Sequence, residues 1–261
     1  MSISKTSTVD QADIAQFERL GSAWWDEDGP MRALHQINPV RIGYIRDLVV
    51  GHFAEAPGSG APLSGLSILD IGCGAGILSE PLTRLGGLVT GLDPASGNIS
   101  AAREHASNVG LDIDYRTTTA ELMAETGAMY DVVLAMEVVE HVVRMPAFVK
   151  TACGLVRPGG LLIASTLNRT LKSFALAIVG AEYVLGWLPK GTHHWEKFVT
   201  PDELEAAITG GGLHVMDQTG MIFNPVTRAW SLGRDTGVNY LMAASRTPAR
   251  LRTQAASPRR T

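Results

Sequence analysis

Leu69-Asp70-Ile71-Gly72-Cys73-Gly74-Ala75-Gly76 decides the fold: an apolar run ends in three glycines placed at every second position. The run LeuSerIleLeuAspIle (66–71) reads as a buried strand, and the segment after the glycines, near 77–85, reads as a helix. Glycines at a strand-to-helix turn let the backbone bend sharply and let a ligand approach within contact distance. Open α/β sheets bind ligands at this carboxyl end of a strand. Dinucleotide loops read G-x-G-x-x-G, which requires glycine at 77, where this chain has Ile77. An acid, Asp70, stands just before the glycines.

Outward from this turn, strand-like and helical runs alternate. LeuValThrGlyLeuAsp (88–93) ends in a second acid, Asp93, whose carboxylate can accept both hydroxyls of a ribose. Further strands are expected at 112–116, 131–136 and 161–166, and helices near 95–109 and 145–156. ArgProGlyGly (157–160) supplies a turn before the strand at 161. Residues 213–245 offer two more strands around a long loop. Such alternation predicts an α/β, Rossmann-like fold: a mostly parallel, seven-stranded sheet with helices on both faces. Upstream, Val9–Trp25 has one helical face (Ile14, Phe17, Leu20, Trp24), broken by Gly29-Pro30. A second helix is expected from Asn38 as N-cap, with Pro39 first inside it, to about Phe53. Residues 56–62 read as a linker.

The glycine turn with Asp70 resembles motif I of class I S-adenosylmethionine-dependent methyltransferases, a cofactor without a pyrophosphate to cradle. The resemblance implies cofactor contacts at Asp70, Gly72, Gly74, Gly76 and Asp93. Both acids also have a plain structural reading as turn and helix caps. More specific blocks resemble the ubiquinone-biosynthesis O-methyltransferase family. They are residues 24–45 (from TrpTrpAspGluAspGlyPro), MetGluValValGluHisVal (136–142), SerThrLeuAsnArgThr (165–170), ValGlyAlaGluTyrValLeu (179–185), ProLysGlyThrHis (189–193), AsnProValThr (224–227) and ValAsnTyr (238–240). This family methylates two hydroxyls on a polyprenylated aromatic ring. The resemblance carries its cofactor residues to Arg41, Gly72, Asp93 and Met136. A guanidinium at 41 suits the cofactor's carboxylate, and a methionine at 136 suits packing on adenine. The bland readings are an exposed charge and a core residue. It also implies three parts: an N-terminal helical cap (1–56), a methyltransferase domain (57–245) with an apolar insertion (170–198), and a basic tail (246–261).

Glu137, Glu140 and His141 lie just past the fourth strand. On a helix, positions i, i+3 and i+4 share a face. Two carboxylates and an imidazole there can hold a divalent metal, magnesium or zinc, which would bind adjacent catechol-like oxygens and lower the hydroxyl pKa. Family members resemble metal-assisted enzymes at this pattern. Two other readings stay open: His141 alone as general base, and acids that favour a helix N-terminus.

Hydrophobic residues make up 45% and charged residues 18%, with a formal net charge of −4, so no basic surface for nucleic acid is expected. Two cysteines, Cys73 and Cys153, and no apolar leader suggest a reducing cytoplasm. The run 173–189 is apolar around a whole helix except for Glu182 and is too short to span a bilayer. Lys172 and Lys190 flank it, and Tyr183 and Trp187 lie near one end. It reads either as a core-packed helix or as an interfacial lid. The family resemblance favours the lid, placing the protein peripherally on the inner membrane with a polyprenylated phenol or quinol as substrate. It also leaves room for a ubiquinone-assembly complex. His193, His194 and Trp195 follow as candidate acceptor-pocket or exposed-loop residues. Five arginines and no acid follow residue 245, which reads as a disordered basic tail. Two rival functions remain: methyltransfer to another small phenol, and a catalytically silent, membrane-associated methyltransferase-like module.

Overall fold

Central strands buried on both faces build the molecule. A computed structural model describes residues 8–10, 14, 18, 21–53, 60–174 and 195–248. Most of the apolar run at 173–189, His193, His194, residues 54–59 and the arginine-rich stretch from 249 onward lie outside the described residues.

Eight strands form one sheet: β1 Ser67–Ile71, β2 Leu88–Asp93, β3 Asp114–Thr117, β4 Tyr130–Met136, β5 Val156–Leu167, β6 His214–Asn224, β7 Ala229–Gly233 and β8 Asn239–Ser245. Their order is β3-β2-β1-β4-β5-β8-β6-β7. The first five are mutually parallel, and β8 pairs antiparallel with both β5 and β6. Helices are α1 Arg32–His52, α2 Ser79–Arg84, α3 Ser96–Asn108, α4 Ala120–Glu125, α5 Met145–Leu155 and α6 Pro201–Gly210. Successive strand residues face opposite ways. Leu69, Ile71, Val133 and Leu162 therefore join Phe148, Val149, Leu204 and Ile208 of α5 and α6. Ile68, Val132, Leu134 and Ile163 join Ile37, Ile45 and Val49 of α1 on the other face. The strand order reverses between β1 and β4, which opens a crevice beyond their carboxyl ends.

The structure departs from the sequence expectations in four places. The loop expected within 213–245 contains a strand, β7, so the sheet has eight strands instead of seven. The turn between β6 and β7 is closed by Asn224, whose Oδ1 accepts the N–H groups of Val226 (2.9 Å) and Thr227 (3.2 Å). Helix α1 begins at Arg32, and Pro39 lies inside it. Asn38 is no N-cap: it is buried in the helix, and its Nδ2 donates to the Ile77 carbonyl at 2.8 Å, tying α1 to the glycine turn. Between residues 9 and 25, Ile14 and Glu18 are helical and Gly21–Trp25 is a separate 3-10 turn. Arg246, the first residue of the expected tail, belongs to the fold: its N–H donates to the Gly160 carbonyl (3.0 Å) and its side chain to that of Cys153 (2.7 Å).

Candidate active site

The glycines of the β1 turn need their lack of a side chain. Gly72, Gly74 and Gly76 have φ of 71°, 55° and 88°, in the left-handed region. A Cβ on Gly72 would lie 2.6 Å from Val138, one on Gly74 would lie 2.7 Å from the Trp24 ring, and one on Gly76 would strike the Tyr115 hydroxyl. Around this turn lies a cavity of about 590 Å³. Asp70, Gly72, Asp93, Arg41, Met136, Glu137 and His141 all line it.

Asp93 orders one end. Its Oδ1 accepts the Ala95 N–H (2.8 Å) and the Asn98 amide (3.2 Å), and its Oδ2 accepts the Gly74 N–H (3.1 Å). Asn98 in turn accepts the Trp24 indole N–H at 3.0 Å. Asp70 accepts the Ser79 hydroxyl at 2.6 Å. Burial pushes both carboxyls up to about 6, against the hydrogen bonds that favour their ionised forms. The sign follows directly. The folded protein holds these protons more tightly than the unfolded chain, so this contribution to stability falls as pH rises from about 4 to 6. A diol held by Asp93 would favour the opposite change, because hydroxyl donors need the ionised carboxylate. S-adenosylhomocysteine affinity is therefore expected to drop about tenfold between pH 7 and pH 5. Calorimetry across that range checks it, and a flat profile would remove Asp93 from the contact.

Glu137 follows β4 with φ of 56°, a left-handed turn that takes it out of any helix. Its Oε1 accepts the Arg41 guanidinium at 2.6 Å and the Ser165 hydroxyl at 2.8 Å. Arg41 is buried, and its Nε–H has no hydrogen-bond partner. Glu140 and His141 sit in a separate 3-10 turn, Val139–His141. Glu140 turns inward to accept the Thr166 hydroxyl at 2.8 Å, with its Oε1 unpartnered. Burial, then the Glu137 charge, pushes the Glu140 carboxyl well up. The shared helix face expected for these three residues is thus corrected. Among the described residues no group of three or more His, Cys, Asp or Glu is assembled to hold a metal ion.

Several residues that build the site were not singled out for it by sequence reasoning. Trp24 covers Gly74, Trp25 donates to the Ala75 carbonyl at 3.1 Å, and Thr8 is buried where it donates to Glu121. Val9 bridges Val142, and Thr8, Val9, Asp10 and Ile14 line the cavity. The tryptophan pair was the available signal. Nothing near residue 8 marks its partners at 121 and 142, because the contact spans more than a hundred residues.

A doubly wound sheet, a glycine turn without the third dinucleotide glycine, and acids at the ends of β1 and β2 define a class I S-adenosylmethionine-dependent methyltransferase. Residues 69–164 match the family described as a methyltransferase domain. The chain is 61% identical over 246 residues to a ubiquinone biosynthesis O-methyltransferase of Methylobacterium nodulans, covering 94% of this chain and 99% of that one. It is 52% identical over 242 residues to the protein of that name from Azorhizobium caulinodans, covering 93% and 96%. The fold is shared with magnesium protoporphyrin IX methyltransferase from Synechocystis, solved with bound S-adenosylhomocysteine: TM-score 0.59, 20% identity, 90% of this chain and 100% of that one. The chain belongs to the ubiquinone biosynthesis O-methyltransferase family.

Proposed function

We propose that the protein methylates phenolic hydroxyls of polyprenylated ubiquinone precursors, at both O-methylation steps. The observation that carries this reading is one apolar-walled cavity lined by Asp70 and Asp93 together with Glu137 and His141. The family name of the relatives supplies the substrate class.

S-adenosylmethionine supplies an activated methyl on a sulfonium centre, and the protein's share is alignment and proton removal. Asp93 takes the ribose hydroxyls. Asp70 and the backbone at Gly72, Gly74 and Gly76 take the methionine part. Met136 packs on adenine. Arg41 takes the cofactor's carboxylate; it already faces one in Glu137 and has a spare N–H. A phenol has a pKa near ~10, so a base is needed at neutral pH, and His141, which lines the cavity, is proposed for that role. Two carboxylates and an imidazole are donors of the right type for a divalent cation, and the orphaned Glu140 Oε1 fits a missing partner. Magnesium or zinc held by Glu137, Glu140 and His141 would lower the hydroxyl pKa, and Glu137 would have to leave Arg41 to join it.

Among the described residues no helix is long and apolar enough to cross a membrane. The acceptor's prenyl tail stays in lipid, at about 0.8 kcal/mol per buried methylene, so the protein is proposed to work at the inner-membrane surface through 173–188. A ubiquinone-assembly complex is a further proposed partner.

Labelled S-adenosylmethionine and a demethylated quinol test all of this. Label is expected in the quinol, falling about tenfold after chelation and returning with magnesium. Full activity after exhaustive chelation would remove the metal and leave His141 as base. Absence of transfer from a protein that binds S-adenosylhomocysteine would overturn the acceptor.

A further inference from the structure

The hairpin β6–β7 is the part of the cavity wall that neither the glycine turn nor the acids explain. Strand β6 runs the same way as β5 and overruns it. Met221 lies level with Leu167, the last residue of β5, through their common neighbour Asn239. Ile222, Phe223 and Asn224 continue beyond, which raises the hairpin about 10 Å above the carboxyl edge of the parallel strands. There Phe223 pairs with Trp230, their ring centroids 5.2 Å apart and tilted by 49°. Both line the cavity, as do Met221 and Pro225. Asp93, at the ribose end, lies five strand spacings away across the sheet, roughly 24 Å. The hairpin therefore belongs to the acceptor's end.

One group there is unsatisfied. The Trp230 Nε1 is buried, and no hydrogen-bond partner reaches it. An indole N–H donates only, so its missing partner is an acceptor atom, and a buried donor left unpaired is costly. The geometry points to Trp230 as a substrate-positioning residue: its indole N–H donates to a ring oxygen of the acceptor other than the hydroxyl being methylated, while the Trp230 and Phe223 rings pack on the aromatic nucleus. Aromatic walls at this tilt suit edge-to-face packing on a flat ring. One donor at a fixed place favours an acceptor that carries an additional oxygen over one that lacks it.

This inference rests on the phenolic acceptor proposed above, and Trp230→Phe separates the two. The variant keeps an aromatic ring and deletes the N–H. Its KM for a demethylated quinol is expected to rise about five- to tenfold with kcat little changed. Its KM for a monophenol carrying only the reacting hydroxyl is expected to rise no more than about twofold, from the smaller ring alone, and its affinity for S-adenosylhomocysteine is expected to stay put. Equal loss on both acceptors, no loss on either, or weakened cofactor binding would each overturn the role. Wild-type protein that methylates neither acceptor would instead sink the phenolic reading.

Discussion

Asp93→Ala is expected to weaken S-adenosylhomocysteine binding a hundredfold or more, taking about 3 kcal/mol or above for two hydrogen bonds to a charged acceptor. The loss has two sources. The carboxylate that would take the ribose hydroxyls disappears, and so does the acceptor that holds the Gly74 and Ala95 N–H groups and the Asn98 amide. Asn98 also holds Trp24, so the cover over the glycine turn loosens with it. Asp93→Asn keeps one carbonyl oxygen and should fall between wild type and alanine. Isothermal titration measures all three; equal affinity for alanine and wild type would refute the diol contact.

Gly74→Ala attacks the same turn from the other side. At φ of 55° any side chain is strained, by about 1–2 kcal/mol. The new methyl would also meet the buried Trp24 ring, a rigid partner, at 2.7 Å. Overpacking of this kind costs about 1–3 kcal/mol more. The expected result is a melting temperature lower by several degrees and a cofactor affinity lower by tenfold or more. Combined with Trp24→Ala, the loss in melting temperature should be smaller than the sum of the two single losses, because the clash is gone. An unaltered single variant would mean that the turn tolerates a side chain and that Trp24 does not seal it.

The centre of the fold was legible because its signals are local. Strand β2 falls at 88–93 as its apolar run indicates, and β1 and β4 lie within one residue of expectation. The glycine turn and both strand-end acids needed only spacing and order. What escaped depends on distance or on backbone shape. Asn38-Pro39 has the pattern of a helix start, yet the residues before it, from Arg32 on, are already helical because α1 packs its apolar face on the sheet. The β6–β7 turn carries asparagine and proline, which read equally well as a long loop. Glu137 and Glu140 have helical spacing, but a left-handed residue at 137 breaks the period and sends one acid to Arg41 and the other beneath β5. Trp230 gave no signal at all, since its significance lies in a partner that the rest of the chain does not provide.

The strap at Thr8–Asp10 has a consequence for how the protein is made. Thr8 leaves the ribosome long before Glu121 and Val142, the residues it needs, so it cannot dock during early synthesis. Closing a loop of 113 residues is an entropic expense met only after β1 to β4 have zipped together. Nascent chains stalled short of residue 142 should therefore lack the wall that Thr8, Val9 and Asp10 add to the cavity, which is completed only as a late step of biogenesis.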